Sequence, residues 1–257
     1  MKGLQKYVFG VLAGVAYLCI TGSSYGCKKI ISARYIPVSD SISTGGGGSG
    51  NNNDTIRRLL ALGDSYTIGH NVTDPERFPN LTIDWLRNRG VKMKYPAEII
   101  ARTGWTAANL LTGIDNASPA PAGPYDLVTL LIGVNNQYQQ RDTGNYRAQF
   151  TICLDRAIGL TGNRTNRVFV LSIPDWGATP AGQNDNPAQI ALEIDRFNAI
   201  NKDVCLQKGI SYTDITPATR MAKTDLTLVA NDGLHYSAKA HGIWAEMIGP
   251  KMLPFVR

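Results

Sequence analysis

The chain has 257 residues, 43% of them hydrophobic and 18% charged, with a formal net charge of +6. Once an N-terminal leader is set aside, that length suits one domain with a full core. The basic residues are scattered, with no dense Lys/Arg tract or aromatic-basic stripe. The charge is therefore read as a surface property, and nucleic acid is not expected as a partner.

Lys2 and Lys6 give a positive start, followed by the apolar stretch YVFGVLAGVAYLCITG. It is short for a spanning helix and sits where a secretory signal sits. Small residues then lead to Cys27 in SSYGCKK, which resembles a bacterial lipoprotein box. The match is relaxed, because Tyr25 precedes Gly26 and Ser24 stands where Leu is commonest. The resemblance implies a signal peptide over residues 1–26 and lipid attachment at Cys27. It also implies an exported protein, periplasmic or on the cell surface, held at a membrane by its lipid. Ordinary signal-peptidase cleavage and retention as a membrane anchor are the alternatives. The run SISTGGGGSGNNND has almost nothing to bury, so residues 27–54 read as a flexible tether and 55–257 as the folded domain.

Within the domain, short apolar runs alternate with amphipathic stretches. IRRLLALG reads as a strand, FPNLTIDWLRNRG as a helix stopped by Gly90, and AEIIAR as a second strand. DLVTLLIG is continuously apolar, as a strand buried on both faces should be. YRAQFTICLDRAIGLTG has helical spacing, RVFVLSIP is a fourth strand, and PAQIALEIDRFNAINKDVCLQKG is a long helix ending at Gly209. ISYTDI is a short fifth strand, and SAKAHGIWAEMIGPKML closes the chain as an amphipathic helix. This alternation predicts an α/β layered fold with a mostly parallel sheet. Cys153 and Cys205 fall in helical segments, where a disulfide and buried free thiols are both open. With no Cys-x-x-Cys and no clustered His, no metal site is indicated.

Parallel sheets bind ligands beyond the carboxyl ends of their strands. Three polar groups lie there: GDS after the first strand, RTGWT after the second and GVNNQY after the third. NDGLHYS precedes the last helix. Ser65 is a poor nucleophile without a base, and the chain holds three histidines. His70 follows Ser65 too closely to turn back on it easily if a helix or tight loop follows the strand. His241 lies inside the last helix without a nearby acid. His235 alone brings its own acid, in Asp232-x-x-His235, the orienting arrangement of a Ser-His-Asp triad. Donors for an oxyanion are the Ser65 N–H, the Gly104 N–H and the Asn135 amide. Each block also has a plainer reading: an N-cap at Asp64-Ser65, and turns at Asn135-Asn136 and Asp232-Gly233.

Gly63-Asp64-Ser65, Gly104, Gly133 with Asn135, and Asp232 with His235 resemble, in order, the four sequence blocks of the SGNH (GDSL-like) hydrolases. The resemblance spans essentially the whole folded domain. It implies a flavodoxin-like three-layer α/β/α sandwich on a five-stranded sheet, and ester hydrolysis without a cofactor. By position it makes Ser65 the nucleophile, His235 the base and Asp232 its orienting acid, with Ser65, Gly104 and Asn135 as the oxyanion hole. Two positions depart from the pattern. Asn136 stands where the third block has an acid, which alters supporting hydrogen bonds, and Tyr66 stands where Leu is usual.

Trp105 and Trp176 are candidate substrate-binding residues, each of which could equally cover the core. Asp175, Gln137, Tyr138 and Arg141 are further polar candidates near the strand ends. The expected activity is hydrolysis of carboxylic esters through an acyl-enzyme, with a lean towards short acyl (acetyl) esters of extracellular glycans or small molecules. Lysophospholipase or thioesterase action on lipid acyl esters, and a non-catalytic glycan-binding lipoprotein, are the competing expectations.

Overall fold

The computed structural model describes residues 55–257. The signal-peptide, Cys27 and tether assignments lie outside these residues. Among them, no helix is long and apolar enough to cross a membrane.

Five strands form one sheet in the order β2-β1-β3-β4-β5: β1 (Leu59–Gly63), β2 (Glu98–Ala101), β3 (Leu127–Leu131), β4 (Val168–Leu171) and β5 (Ser211–Thr213). Every pairing is parallel, and Leu62 sits in register with Ile100 of β2 and Leu130 of β3. All residues of β1, β3 and β4 are buried, as continuous apolar runs require when helices cover both faces. The first strand is shorter than the predicted IRRLLALG, covering its apolar run alone. Arg57 and Arg58 instead pair with Asp126 and Glu98 at the sheet's amino edge.

Helices complete the α/β/α sandwich. On one face α2 (Phe78–Arg87) packs against α9 (Ala238–Met252), and on the other α3 (Ala107–Asp115), α5 (Thr143–Leu160) and α7 (Pro187–Gln207) lie side by side. Short helices α1 (Ser65–Ile68), α4 (Val134–Tyr138), α6 (Pro180–Gln183) and α8 (Thr216–Arg220) sit at strand or loop ends. Helix α3 has no counterpart among the predicted elements. Its start is fixed by a reciprocal cap: Thr106 Oγ1 accepts from the Asn109 N–H, and Asn109 Oδ1 accepts from the Thr106 N–H. Cys153 and Cys205 are buried free thiols.

The strand order decides where chemistry can sit. β1 lies between β2 and β3, so the connection from β1 to β2 runs one way along the sheet and the chain then crosses back to β3 on the other side of β1. That reversal is the topological switch point, where parallel sheets open a crevice at their carboxyl edge. Adjacent strands lie about 4.8 Å apart. The segments following β2, β1 and β3 are therefore neighbours at that edge.

Candidate active site

Ser65 opens α1 directly after β1, at the centre of that edge, and only 4% of its surface is exposed. Asp64 is the N-cap: its Oδ1 accepts from the Tyr66 N–H at 3.0 Å. The N-cap reading thus holds for Asp64, and it places Ser65 at the first helical position, where a backbone N–H has no helical acceptor. Gly63 lets the turn form, since a Cβ there would collide with the Leu131 carbonyl and the Thr67 side chain.

The Gly104 loop after β2 and α4 after β3 flank this position. Gly104 has φ +84°, a left-handed conformation that glycine adopts without strain. Neither the Ser65 nor the Gly104 N–H finds an acceptor among the described residues. The Asn135 amide donates one hydrogen to the Trp105 carbonyl at 2.9 Å, which orients it and leaves the second available. Trp105 meets the site through this carbonyl, while its ring lies over α3, where a Cβ on Gly113 would overlap it.

Asp232 and His235 come from a closed loop before α9. An antiparallel bridge joins Val229 to Tyr236, and the Ala230 N–H donates to the His235 carbonyl at 2.8 Å. Within it Asp232 Oδ1 accepts from the Leu234 and His235 N–H groups, and Oδ2 accepts from His235 Nδ1 at 2.6 Å. Partial burial pushes the Asp232 carboxyl up, but the bonds from the His235 ring and backbone outweigh it and hold the group at about 2. Burial holds the His235 imidazole below its ordinary value, against the raising effect of Asp232. The ring is therefore neutral at pH 7, with Nδ1 protonated. Its Nε2 and the Ser65 hydroxyl have no partner among the described residues.

Two residues in this cluster were not anticipated. Helix α1 is only four residues long and ends at Gly69 with φ +68°. The chain turns back there, and His70 stacks on His235 with ring centroids 4.5 Å apart. This corrects the expectation that His70 follows Ser65 too closely to return. His70 Nδ1 also bonds Thr103 Oγ1 at 3.1 Å, one residue before Gly104. The next residue, Asn71, donates its amide to Asp232 Oδ2 at 2.5 Å. His70, Asp232 and His235 thus form a cluster with potential ligand atoms within 4.8 Å of one another. Their spacing in the chain does not announce this cluster, and the expectation of no clustered His is corrected here. Both Asp232 oxygens already accept hydrogen bonds, Oδ1 from the Leu234 and His235 N–H groups and Oδ2 from Asn71 and His235 Nδ1.

The remaining candidates separate clearly. Asn136 Oδ1 accepts from the Ala107 N–H at 2.9 Å and supports the start of α3, as expected for a supporting residue. Tyr66 is buried, with its ring 5.7 Å from that of His235. His241 is a core residue whose Nδ1 accepts from the Phe78 N–H, and burial lowers its pKa to about 3. Asp175 is fully buried, paired with Arg220 at 2.7 Å, and accepts from the Gly177 N–H, which gives it a structural role. Trp176 is 6% exposed and donates to Gln137 Oε1, whereas Tyr138 is exposed. Arg141 bonds Gln139 at the surface.

Comparison with known proteins followed the same lines. No curated protein sequence matches the chain significantly. Solved structures do, at low identity. A lipase/acylhydrolase from Enterococcus faecalis is 17% identical with a TM-score of 0.59, covering 79% of this chain and 98% of that one. An acetylxylan esterase from Geobacillus stearothermophilus is 17% identical with a TM-score of 0.58, covering 78% and 96%. A lipolytic protein of the G-D-S-L family from Veillonella parvula is 17% identical with a TM-score of 0.55, covering 77% and 97%. At these identities the likeness establishes a shared fold. The model of the GDSL-like lipase/acylhydrolase family matches residues 61–243, from within β1 into α9, and the chain belongs to that family.

Proposed function

We propose that this chain, a carboxylic ester hydrolase by family, cleaves its substrate through Ser65, His235 and Asp232. His235 Nε2 takes the hydroxyl proton as Ser65 Oγ attacks the ester carbonyl carbon. Asp232 holds the opposite ring N–H and stabilises the imidazolium that forms. The tetrahedral oxyanion rests on the Ser65 N–H, the Gly104 N–H and the free hydrogen of the Asn135 amide. His235 then protonates the departing alcohol, leaving an acyl-Ser65. Water deprotonated by the same ring releases the acid and restores the serine.

The observation that carries this reading is the 2.6 Å Asp232–His235 bond at Nδ1, with Nε2 left unpartnered at the edge where Ser65 emerges. The acyl group is short, of acetyl size: among the described residues near the strand ends, no long apolar segment offers shelter to a fatty chain. The alcohol is an extracellular glycan or small molecule. The signal-like segment, Cys27 and the Gly/Ser/Asn run support an exported enzyme tethered to a membrane by lipid. Mass spectrometry of the mature N-terminus tests that address, since an unmodified Cys27 contradicts it.

The activity test is hydrolysis of p-nitrophenyl esters from acetyl to palmitoyl, with Ser65→Ala alongside. Hydrolysis confined to short chains and lost in the variant supports the proposal. Preference for long chains overturns the short-acyl assignment, and activity unaffected by Ser65→Ala overturns the triad.

A further inference from the structure

A cleft of about 410 Å³ opens where α4 ends, between Gln137, Tyr138 and Trp176 on one side and Asn186, Gln189 and Glu193 of the α7 start on the other. Helix α4 also carries Asn135, three residues before Tyr138, which is about 4.5 Å along a helix axis. The cleft and Asn135 thus share the short helix that follows β3.

The wall is preorganised. Trp176 Nε1 donates to Gln137 Oε1 at 2.7 Å, and Gln137 Nε2 donates to Glu193 Oε2 at 2.7 Å. Gln189 Nε2 donates to the other Glu193 oxygen at 2.7 Å. This chain fixes two amides and a carboxylate in place and leaves each amide nitrogen a second hydrogen to offer. Above it Tyr138 is 63% exposed, yet its ring is held edge-on against Trp176 at 5.3 Å. The rigid aromatic offers an open face, and the amides beside it offer fixed donors and acceptors. That pairing suits a ligand with one face of C–H groups and a rim of hydroxyls.

Charge narrows the choice further. Glu193 and Asp185 both border the cleft, and among the described residues no Lys or Arg lines it. The amide bonds hold the Glu193 carboxyl below its ordinary range, so it stays ionised. A phosphate, whether of a lysophospholipid or of a coenzyme A thioester, would meet like charge there. A fatty chain would need a continuous apolar lining, and Ile190 is the one aliphatic residue bordering the cleft.

We propose that this cleft is a subsite for a neutral pyranose ring in the alcohol half of the substrate, seated on Tyr138 and hydrogen-bonded by Gln137, Gln189 and Glu193. The enzyme then acts on acylated oligosaccharides. This inference rests on the esterase reading above, and the test separates the two.

Hydrolysis of acetylated xylo- and manno-oligosaccharides is compared with that of p-nitrophenyl acetate in wild type, Tyr138→Ala and Tyr138→Phe. Tyr138 is exposed, so its removal does not endanger the core. The expected result is a roughly tenfold fall in the oligosaccharide-to-p-nitrophenyl-acetate ratio of kcat/KM for Tyr138→Ala, expressed in KM and recovered in Tyr138→Phe. An unchanged ratio overturns the subsite. So does a wild type that cleaves lysophosphatidylcholine faster than every acetylated oligosaccharide. A wild type inert towards p-nitrophenyl acetate as well as the oligosaccharides contradicts the esterase reading and the subsite together.

Discussion

Asn71 and Asp232, 161 residues apart in the chain, are joined by a hydrogen bond from the asparagine amide to the carboxylate oxygen that also holds His235. The loop after Ser65 thereby steadies Asp232, the acid proposed to orient His235. Asn71 adopts φ +66°, a left-handed conformation that asparagine tolerates better than most residues. Both its backbone and its amide serve the position.

Replacing Asn71 by Gly keeps the backbone conformation and removes the amide. A hydrogen bond to a charged group contributes about 1.5–3 kcal/mol. The expected loss is roughly ten- to a hundredfold in kcat, with KM little changed. Steady-state kinetics on p-nitrophenyl acetate check this, and a kcat within about twofold of wild type would show that Asp232 needs no such support.

Burial is the main cause of the lowered His235 pKa, and the electrostatic influence of His70, stacked on that ring, adds to the lowering. His235 must be neutral to act as base, so kcat/KM falls as pH drops through its pKa, below the ordinary 6.5. His70→Phe keeps a ring in the stack and removes that electrostatic influence. The His235 pKa then rises, and activity is lost at a higher pH than in wild type. The pH dependence of kcat/KM for both proteins measures the shift, and an acid limb that stays put or moves down contradicts this role.

Asn135→Ala removes one of the three proposed oxyanion donors. The expected cost is about a hundredfold or more in kcat, because the donor acts on charge that develops in the transition state. A change confined to KM would place Asn135 in ground-state binding instead.

Asp64 is buried with its Oδ2 unpaired among the described residues, and burial raises its carboxyl to about 7, despite a backbone hydrogen bond that lowers it. The unfolded chain releases this proton near 3.8, whereas the folded protein keeps it until about 7. Between those values the native state binds more protons, so this group's contribution to stability falls as pH rises, by up to roughly 4 kcal/mol. Asp64→Asn retains an N-cap acceptor and removes the titration. Its stability advantage over wild type should grow from pH 4 to pH 7 in urea unfolding, and a constant difference across that range would refute the assignment.

Much of the architecture was legible because buried parallel strands announce themselves as unbroken apolar runs: LLALG, LVTLL and VFVL all proved fully buried. Helix α3 escaped because AANLLTGID is short and broken by Gly113; its one readable trace was Thr106 followed by Asn109. The strand-end blocks were equally legible, since strand order alone brings Ser65 between Gly104 and Asn135. His70 and Asn71 were not, because their place depends on α1 stopping after one turn at Gly69. The Gln137–Glu193 bond spans 56 residues and depends on how α7 lies beside α4, which no local pattern encodes.

The central claim is that Ser65 is the nucleophile, and covalent labelling tests it most directly. The protein is treated with a fluorophosphonate at pH 7.5, and the modified peptide is located by mass spectrometry, with His235→Ala treated in parallel. One label is expected, on Ser65, formed at least a hundredfold more slowly without His235. A label on another residue, or none on wild type under conditions where it hydrolyses p-nitrophenyl acetate, would contradict it.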